Sequence, residues 1–301
     1  MSVTLLLLPD FLLIVLGWVL CRHTPLDRTL WDGVERLVYY LLFPVLLFGS
    51  ILRQPMVFGE LLPLAAGGLG IVGAGIVLSQ LLGRWPGVDP RLHASGAQIA
   101  FRFNSYVALA LAAGLAGSQG LAWMALLMAV CVPLANVGAV WPLARQGGQG
   151  LVRELVRNPL IIATVSGLAA NLLGLRLPEI ASTTLARLGG AALPLGLMAV
   201  GAGLQFGALR EGPRLAVALL AIRHAALPLV ALGLIALLPL AAGQRTLLMA
   251  FAAMPTASSA YVLAVRMGGH GPYVAGLVTV STLAGMAALP AWLALWAWLA
   301  R

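Results

Sequence analysis

Polar side chains able to hold a small charged ligand gather at two points of an otherwise apolar sequence. One stretch is Gln98-Ile99-Ala100-Phe101-Arg102-Phe103-Asn104-Ser105-Tyr106, and the other is Met254-Pro255-Thr256-Ala257-Ser258-Ser259-Ala260-Tyr261. Asn104 and Ser105 offer an amide and a hydroxyl. Thr256, Ser258, Ser259 and Tyr261 add hydroxyls at the other stretch. Pro255 lacks a backbone N–H, and its ring clashes with the preceding turn. Carbonyls near 251 and 252 therefore lose their helical partners and are expected to be open to a ligand or a cation. Such groups bind and orient; they do not by themselves make or break bonds.

Charge adds to this picture. Arg102 lies in the first polar stretch, and Arg223 sits beside His224 within another apolar run. The acids are Asp10, Asp27, Asp32, Glu35, Glu60, Asp89, Glu154, Glu179 and Glu211, and only Asp10 falls within an apolar run. Charged groups at bilayer depth are rare and mark ligand or ion pathways. Snorkelling or structural pairing is one reading of the two arginines. The other is that an anionic substrate supplies the missing counter-charge. His224 and Asp10 are the groups that could carry a coupling proton.

The remaining motifs exclude other chemistries. There is no Gly-x-x-x-x-Gly-Lys-Ser/Thr stretch, and no lysine at all, so no nucleotide-driven pump is implied. Neither Gly-x-Ser-x-Gly nor His-Glu-x-x-His occurs, which leaves an intramembrane enzyme without a catalytic set. Cys21 and Cys131 have no metal-ligand spacing and read as small buried hydrophobes. The net charge of +9 comes from arginines scattered singly between apolar runs, not from a nucleic-acid-binding patch.

The elements that must position these residues are membrane helices. Of 301 residues, 61% are apolar and 9% charged, where a soluble domain carries roughly 25% charged residues. Ten spans are predicted, at about 3–21, 34–52, 60–82, 93–115, 119–142, 158–175, 184–206, 213–238, 243–266 and 272–298, each long enough to cross a core of about 30 Å. The first run lacks a basic start and a cleavage site, so it reads as a retained helix. With the N-terminus outside, the inner loops hold Arg22, Arg28, Arg36, Arg84, Arg91, Arg145, Arg153, Arg157, Arg210, Arg214 and Arg266. The outer segments hold Arg53, Arg176, Arg187, Arg245 and Arg301. That bias predicts both termini outside.

The halves repeat. Phe43-Pro44-Val45-Leu46 in span 2 parallels Leu193-Pro194-Leu195-Gly196 in span 7. Asn104-Ser105-Tyr106-Val107 in span 4 parallels Ser259-Ala260-Tyr261-Val262 in span 9, and Gly-rich turns follow both. Five helices per half is an odd number, so the second half enters the membrane inverted. Inverted repeats with broken helices at the midplane are the architecture of secondary transporters. The expected organisation is 1–145, a cytoplasmic linker at 146–157, and 158–301. The two polar breaks would meet at the pseudo-two-fold axis. Pro44 and Pro194 are expected to kink their helices, and Asn136 and Gln205 to pack between helices rather than to bind ligand. Asn158-Pro159 is expected to start span 6.

Several of these segments together resemble one family. They are Phe43-Pro44, Phe103-Asn104-Ser105-Tyr106, Val132-Pro133-Leu134-Ala135-Asn136-Val137, Asn158-Pro159-Leu160, Leu193-Pro194-Leu195 through Gly201, and Met254-Pro255-Thr256-Ala257 through Tyr261-Val262-Leu263-Ala264. In order and spacing the chain resembles the auxin efflux carrier family, in particular its bacterial malonate or organic-acid permeases. The resemblance implies an all-α fold of two inverted five-helix repeats, like the bile-acid:sodium symporters, with helices 4 and 9 unwound and crossing. It implies a scaffold of spans 1, 2, 6 and 7, which often carries a homodimer contact, and a transport bundle of spans 3–5 and 8–10. Asn104 takes the crossover position of span 4. The matching position of span 9, often Asn in the family, is Ser259, a departure that argues against auxin as substrate.

The expected function is secondary active transport of a small organic anion, a mono- or dicarboxylate such as malonate, across a bacterial inner membrane. No cofactor is expected beyond Na+ or H+ as coupling ion. A membrane-embedded sensor or scaffold, a channel or an intramembrane enzyme are the rival readings.

Overall fold

The computed structural model describes residues 3–53, 58–144, 159–204, 211–257 and 259–300. Ser258, Gln205, Asn158 and the expected linker at 146–157 lie outside the described residues, as does the side chain of Asp10. Every regular element among the described residues is helical. Five stretches there are long and apolar enough to cross a membrane: Leu61–Leu82, Pro90–Leu143, Glu179–Ala202, Pro213–Leu237 and Gly271–Leu299. The chain forms two compact units. One comprises Met1–Leu62, Tyr106–Ala129 and Val152–Gly203, the other Pro63–Ser105, Val130–Leu151 and Leu204–Arg301.

The first unit is built on α1 (Val3–His23), α2 (Arg28–Leu37), α3 (Phe43–Arg53), α7 (Pro159–Leu172) and α8 (Glu179–Ala202). Asp27 caps α2 by accepting the N–H of Leu30 at 3.2 Å. A π turn, Val38–Leu42, carries α2 into α3 immediately before Phe43-Pro44. A proline ring collides with the carbonyl four residues back, and a widened turn is a way to make room for it. Asn171 of α7 closes the other end of α3, its amide donating to the carbonyls of Ile51 at 2.9 Å and Leu52 at 3.3 Å. The motif residues converge here: the rings of Phe43 and Tyr106 lie 4.8 Å apart, and Gly196 leaves room for the Tyr106 ring. Helices α1 and α8 pack closely, at glycines considered in the Discussion.

The second unit contains most of α4 (Phe58–Leu82), then α5 (Pro90–Gly96) with a 3-10 turn at Ala97–Ala100, and the part of α6 (Ser105–Ala144) from Val130 on. It continues with α9 (Pro213–Ala221), α10 (Leu227–Leu237), α11 (Ala242–Ala253), α12 (Ser259–Arg266) and α13 (Gly271–Leu299). Helix α6 bends at Ala116 and Gly117, where Gly117 takes φ 55°, a conformation open to glycine. The prediction separates spans 4 and 5 at this same point.

A second π turn, Ile222–Ala226, joins α9 to α10 just before Leu227-Pro228. Pro228 cannot donate to the carbonyl of His224, and the indole N–H of Trp292 donates to it instead, at 2.8 Å. Trp292→Phe would strand that acceptor. It is expected to destabilise the protein by about 1–3 kcal/mol, read as a lower thermal midpoint in detergent. An unchanged midpoint would remove the indole as that carbonyl's partner.

Candidate functional site

Both polar stretches are interrupted helices, and both interruptions lie in the second unit. Helix α11 ends at Ala253 because Met254 precedes a proline. Its φ of −63° and ψ of 152° are the extended conformation that a following proline imposes. The chain then runs unwound through Pro255, Thr256 and Ala257 before α12 begins at Ser259. The first stretch opens differently. Asp89 caps α5, accepting from the N–H groups of Arg91 at 2.7 Å and Leu92 at 3.0 Å. The helix tightens to a 3-10 turn, leaves helical geometry at Phe101 (φ −126°), and resumes at Ser105. No proline or glycine lies between Ala97 and Asn104.

Tertiary bonds hold the first break open. The N–H of Asn104 donates to the carbonyl of Pro255 at 3.0 Å. The hydroxyl of Thr256 donates to the carbonyl of Arg102 at 3.1 Å. The amide of Gln98 donates to the carbonyls of Ser95 at 3.0 Å and Ala260 at 3.2 Å. Each break thus satisfies groups that the other leaves without helical partners, which lipid could not do. Phe103 and Phe251 stack behind the junction with centroids 4.6 Å apart. Gly285 of α13 makes room for the ring of Pro255.

Around this junction, Asn104, Thr256 and Gln98 are buried, while Arg102 and Ser105 are half-buried and Ser259 is exposed. The guanidinium of Arg102 donates through Nη1 to Oε1 of Gln98 at 3.2 Å and through Nη2 to the hydroxyl of Ser259 at 3.5 Å. A cation therefore stands at the edge of the junction and bridges the two breaks through neutral partners. This arrangement can offer charge and hydroxyl donors to an anion.

Other sequence-predicted residues lie apart from it. Tyr261 is one turn along α12 with its ring exposed, against Gly271. Asn136 is buried in α6 and is not among the hydrogen-bond partners of the junction. Pro44 and Pro194 belong to α3 and α8 of the first unit.

The carbonyls freed by Pro255 require a correction. The expectation was that they stand open to a ligand or cation. That of Phe251 is taken by Arg223, whose Nη2 donates to it at 3.3 Å while Nε donates to the carbonyl of Met254 at 2.5 Å. Arg223 is 1% exposed, so it does not snorkel. His224, the next residue on the π turn, holds the opposite side. Its Nε2 lies 2.9 Å from the hydroxyl oxygen of Ser281, and that oxygen accepts the N–H of Thr256 at 3.0 Å. Sequence reasoning missed Gln98 and Ser281 as ties of the junction. Gln98 opens the first polar stretch, and that was the available signal; Ser281 gave none.

The sequence model of the family described as "Membrane transport protein" matches residues 142–293, which include Arg223, His224 and the break at Pro255. A protein of Methanothermobacter thermautotrophicus described as an uncharacterized transporter is 32% identical over 148 residues, covering 48% of this chain and 49% of that protein. The chain thus spans about half the length of that curated relative. The family match extends over half of the sequence and includes one of the two interrupted helices, and on that ground the chain belongs to the membrane transport protein family, the auxin efflux carriers.

Proposed function

We propose that this chain is a secondary transporter that moves a small organic anion, a mono- or dicarboxylate such as malonate, by alternating access. The observation that carries the reading is the junction itself: two unwound segments bonded to each other, with Arg102 half-buried across them. Unwound backbone at membrane depth is tolerated where it is enclosed by protein or lines a cavity. Transporters use such breaks to bind substrate. Asn104, Ser105, Thr256 and Ser259 would supply hydrogen bonds and Arg102 the charge, with Ser258 as a further hydroxyl. The same reading takes the fold as ten spans in two inverted repeats, with spans 1, 2, 6 and 7 as a scaffold suited to a homodimer contact. Spans 3–5 and 8–10 move as the transport bundle, in a bacterial inner membrane with both termini outside.

Uptake of labelled malonate and related mono- and dicarboxylates into proteoliposomes tests the reading. Saturable uptake is expected from the wild type. Asn104→Ala is expected to abolish it while keeping a cooperative melting curve. Normal flux in that variant would remove the site assignment. A folded wild type with no saturable flux of any anion in the set would favour a sensor or scaffold.

A further inference from the structure

We propose that Arg223 is the resident cation of the helix break, filling with its guanidinium the carbonyl cluster that a coupling metal ion would otherwise need. Among the described residues, the groups at the Pro255 break with the chemistry of a sodium site include backbone carbonyls, hydroxyls and the side-chain amide oxygens of Asn104 and Gln98. Hard cations of this kind take oxygen ligands and need several of them. Several of those oxygens already accept a donor. The carbonyls of Met254 and Phe251 accept from Arg223, that of Pro255 accepts from the N–H of Asn104, and that of Arg102 accepts from the hydroxyl of Thr256. The hydroxyl of Ser281 accepts from the N–H of Thr256. A sodium ion at this break would have to displace the guanidinium of Arg223 or compete with these donors for the same oxygens.

The fit to guanidinium is direct. Pro255 removes the N–H that would have served the carbonyl of Phe251, and a donor on a covalent tether replaces it. The π turn at Ile222–Ala226 is what aims that donor. Its extra residue turns Arg223 inward while the helix continues, and π turns of this kind recur at functional positions. Among the described residues, the ion pairs join Arg28 to Asp32 and Glu35 and His270 to Glu211; none includes Arg223. Its charge is thus set against carbonyl dipoles. A metal ion there would enter and leave with substrate, whereas a tethered guanidinium stays. Arg223 is accordingly a positioning residue for the broken helix and a fixed charge beside the site proposed above. The inference concerns the ion chemistry of that site, and its test uses no substrate.

The experiment measures the thermal midpoint of the full chain in detergent. For the wild type, replacing choline chloride by sodium chloride at constant ionic strength is expected to leave the midpoint unchanged. A sodium-specific rise would overturn the proposal. Arg223→Ala is expected to lower the midpoint by roughly 5 °C or more. Guanidinium chloride at low concentration should then act with opposite signs, lowering the wild-type midpoint as a denaturant and raising that of Arg223→Ala by refilling the vacated position. Guanidinium lowering both alike would also overturn the proposal. Should Arg223→Ala not survive purification, the wild-type comparison decides by itself.

Discussion

Arg102→Gln is expected to weaken anion uptake by roughly 10–100-fold at subsaturating substrate, the equivalent of about 1.5–3 kcal/mol for hydrogen bonds to a charged group. Arg102 sits half-buried at the edge of the junction, where Nη1 reaches Gln98 and Nη2 reaches Ser259. Those contacts tie one break to the other through neutral groups, and glutamine retains an amide able to make one of them. The charge is what the substitution removes. Because the side chain is partly exposed, its loss leaves no sealed cavity, and the melting curve is expected to move little. Arg102→Lys keeps the charge but loses the planar fork that meets a carboxylate with two bonds, so an intermediate loss is expected, carried mainly by KM. Uptake against concentration in proteoliposomes gives the measurement. Wild-type uptake by the glutamine variant at low substrate would take Arg102 out of the binding site.

The two breaks were legible to different degrees, and for physical reasons. Pro255 announces itself, since a proline in an apolar run denies a helix its hydrogen bond and forces the preceding residue out of helical geometry. The break at 101–104 has no such local cause. Its residues would continue a helix if left alone, and it opens because Asn104 and Arg102 find partners on the other break. The sequence hinted at it only through a concentration of polar side chains. The bend at Gly117 was legible from its glycines, and the cap at Asp89-Pro90 follows ordinary capping chemistry.

The destination of freed carbonyls was not legible. Hydropathy shows where a backbone acceptor loses its partner, but the replacement donor comes from distant sequence. Arg223 lies about 30 residues before Phe251, and Trp292 lies 68 residues after His224. The π turns were equally silent. Each widens a helix just before a proline, at Phe43-Pro44 and Leu227-Pro228, and the sequence showed the proline without saying which way the helix would yield. That choice decides the direction of Arg223, and with it whether the carbonyls at Pro255 stand open.

Gly201→Ala is expected to destabilise the protein severely, by more than about 4 kcal/mol, and Gly201→Leu to prevent its accumulation in the membrane. Helix propensity alone predicts the reverse sign, because alanine is better than glycine inside a helix by about 1 kcal/mol. The geometry overrules propensity here. A Cβ at Gly201 of α8 would collide with the backbone carbonyl of Ile14 in α1, and a Cβ at Gly17 of α1 would collide with the backbone carbonyl of Met198 in α8. Each glycine therefore rests on the carbonyl three residues before the other, and the two backbones touch where side chains would normally intervene. Backbone cannot rotate away as a side chain can, so even one methyl group must push the helices apart. In lipid such close approach is itself a main source of helix association, and separation forfeits the whole contact. Gly190, on the same α8, has nothing near its added Cβ, so Gly190→Ala is expected to be neutral or mildly stabilising and serves as the control. The sharpest measurement is the double variant. Once Gly17→Ala has separated the helices, Gly201→Ala meets little further resistance, so the two losses of thermal midpoint should combine to clearly less than their sum. Full additivity would mean that the two glycines do not share one contact, and a Gly201→Ala midpoint at or above that of the wild type would mean that α1 and α8 do not meet backbone to backbone.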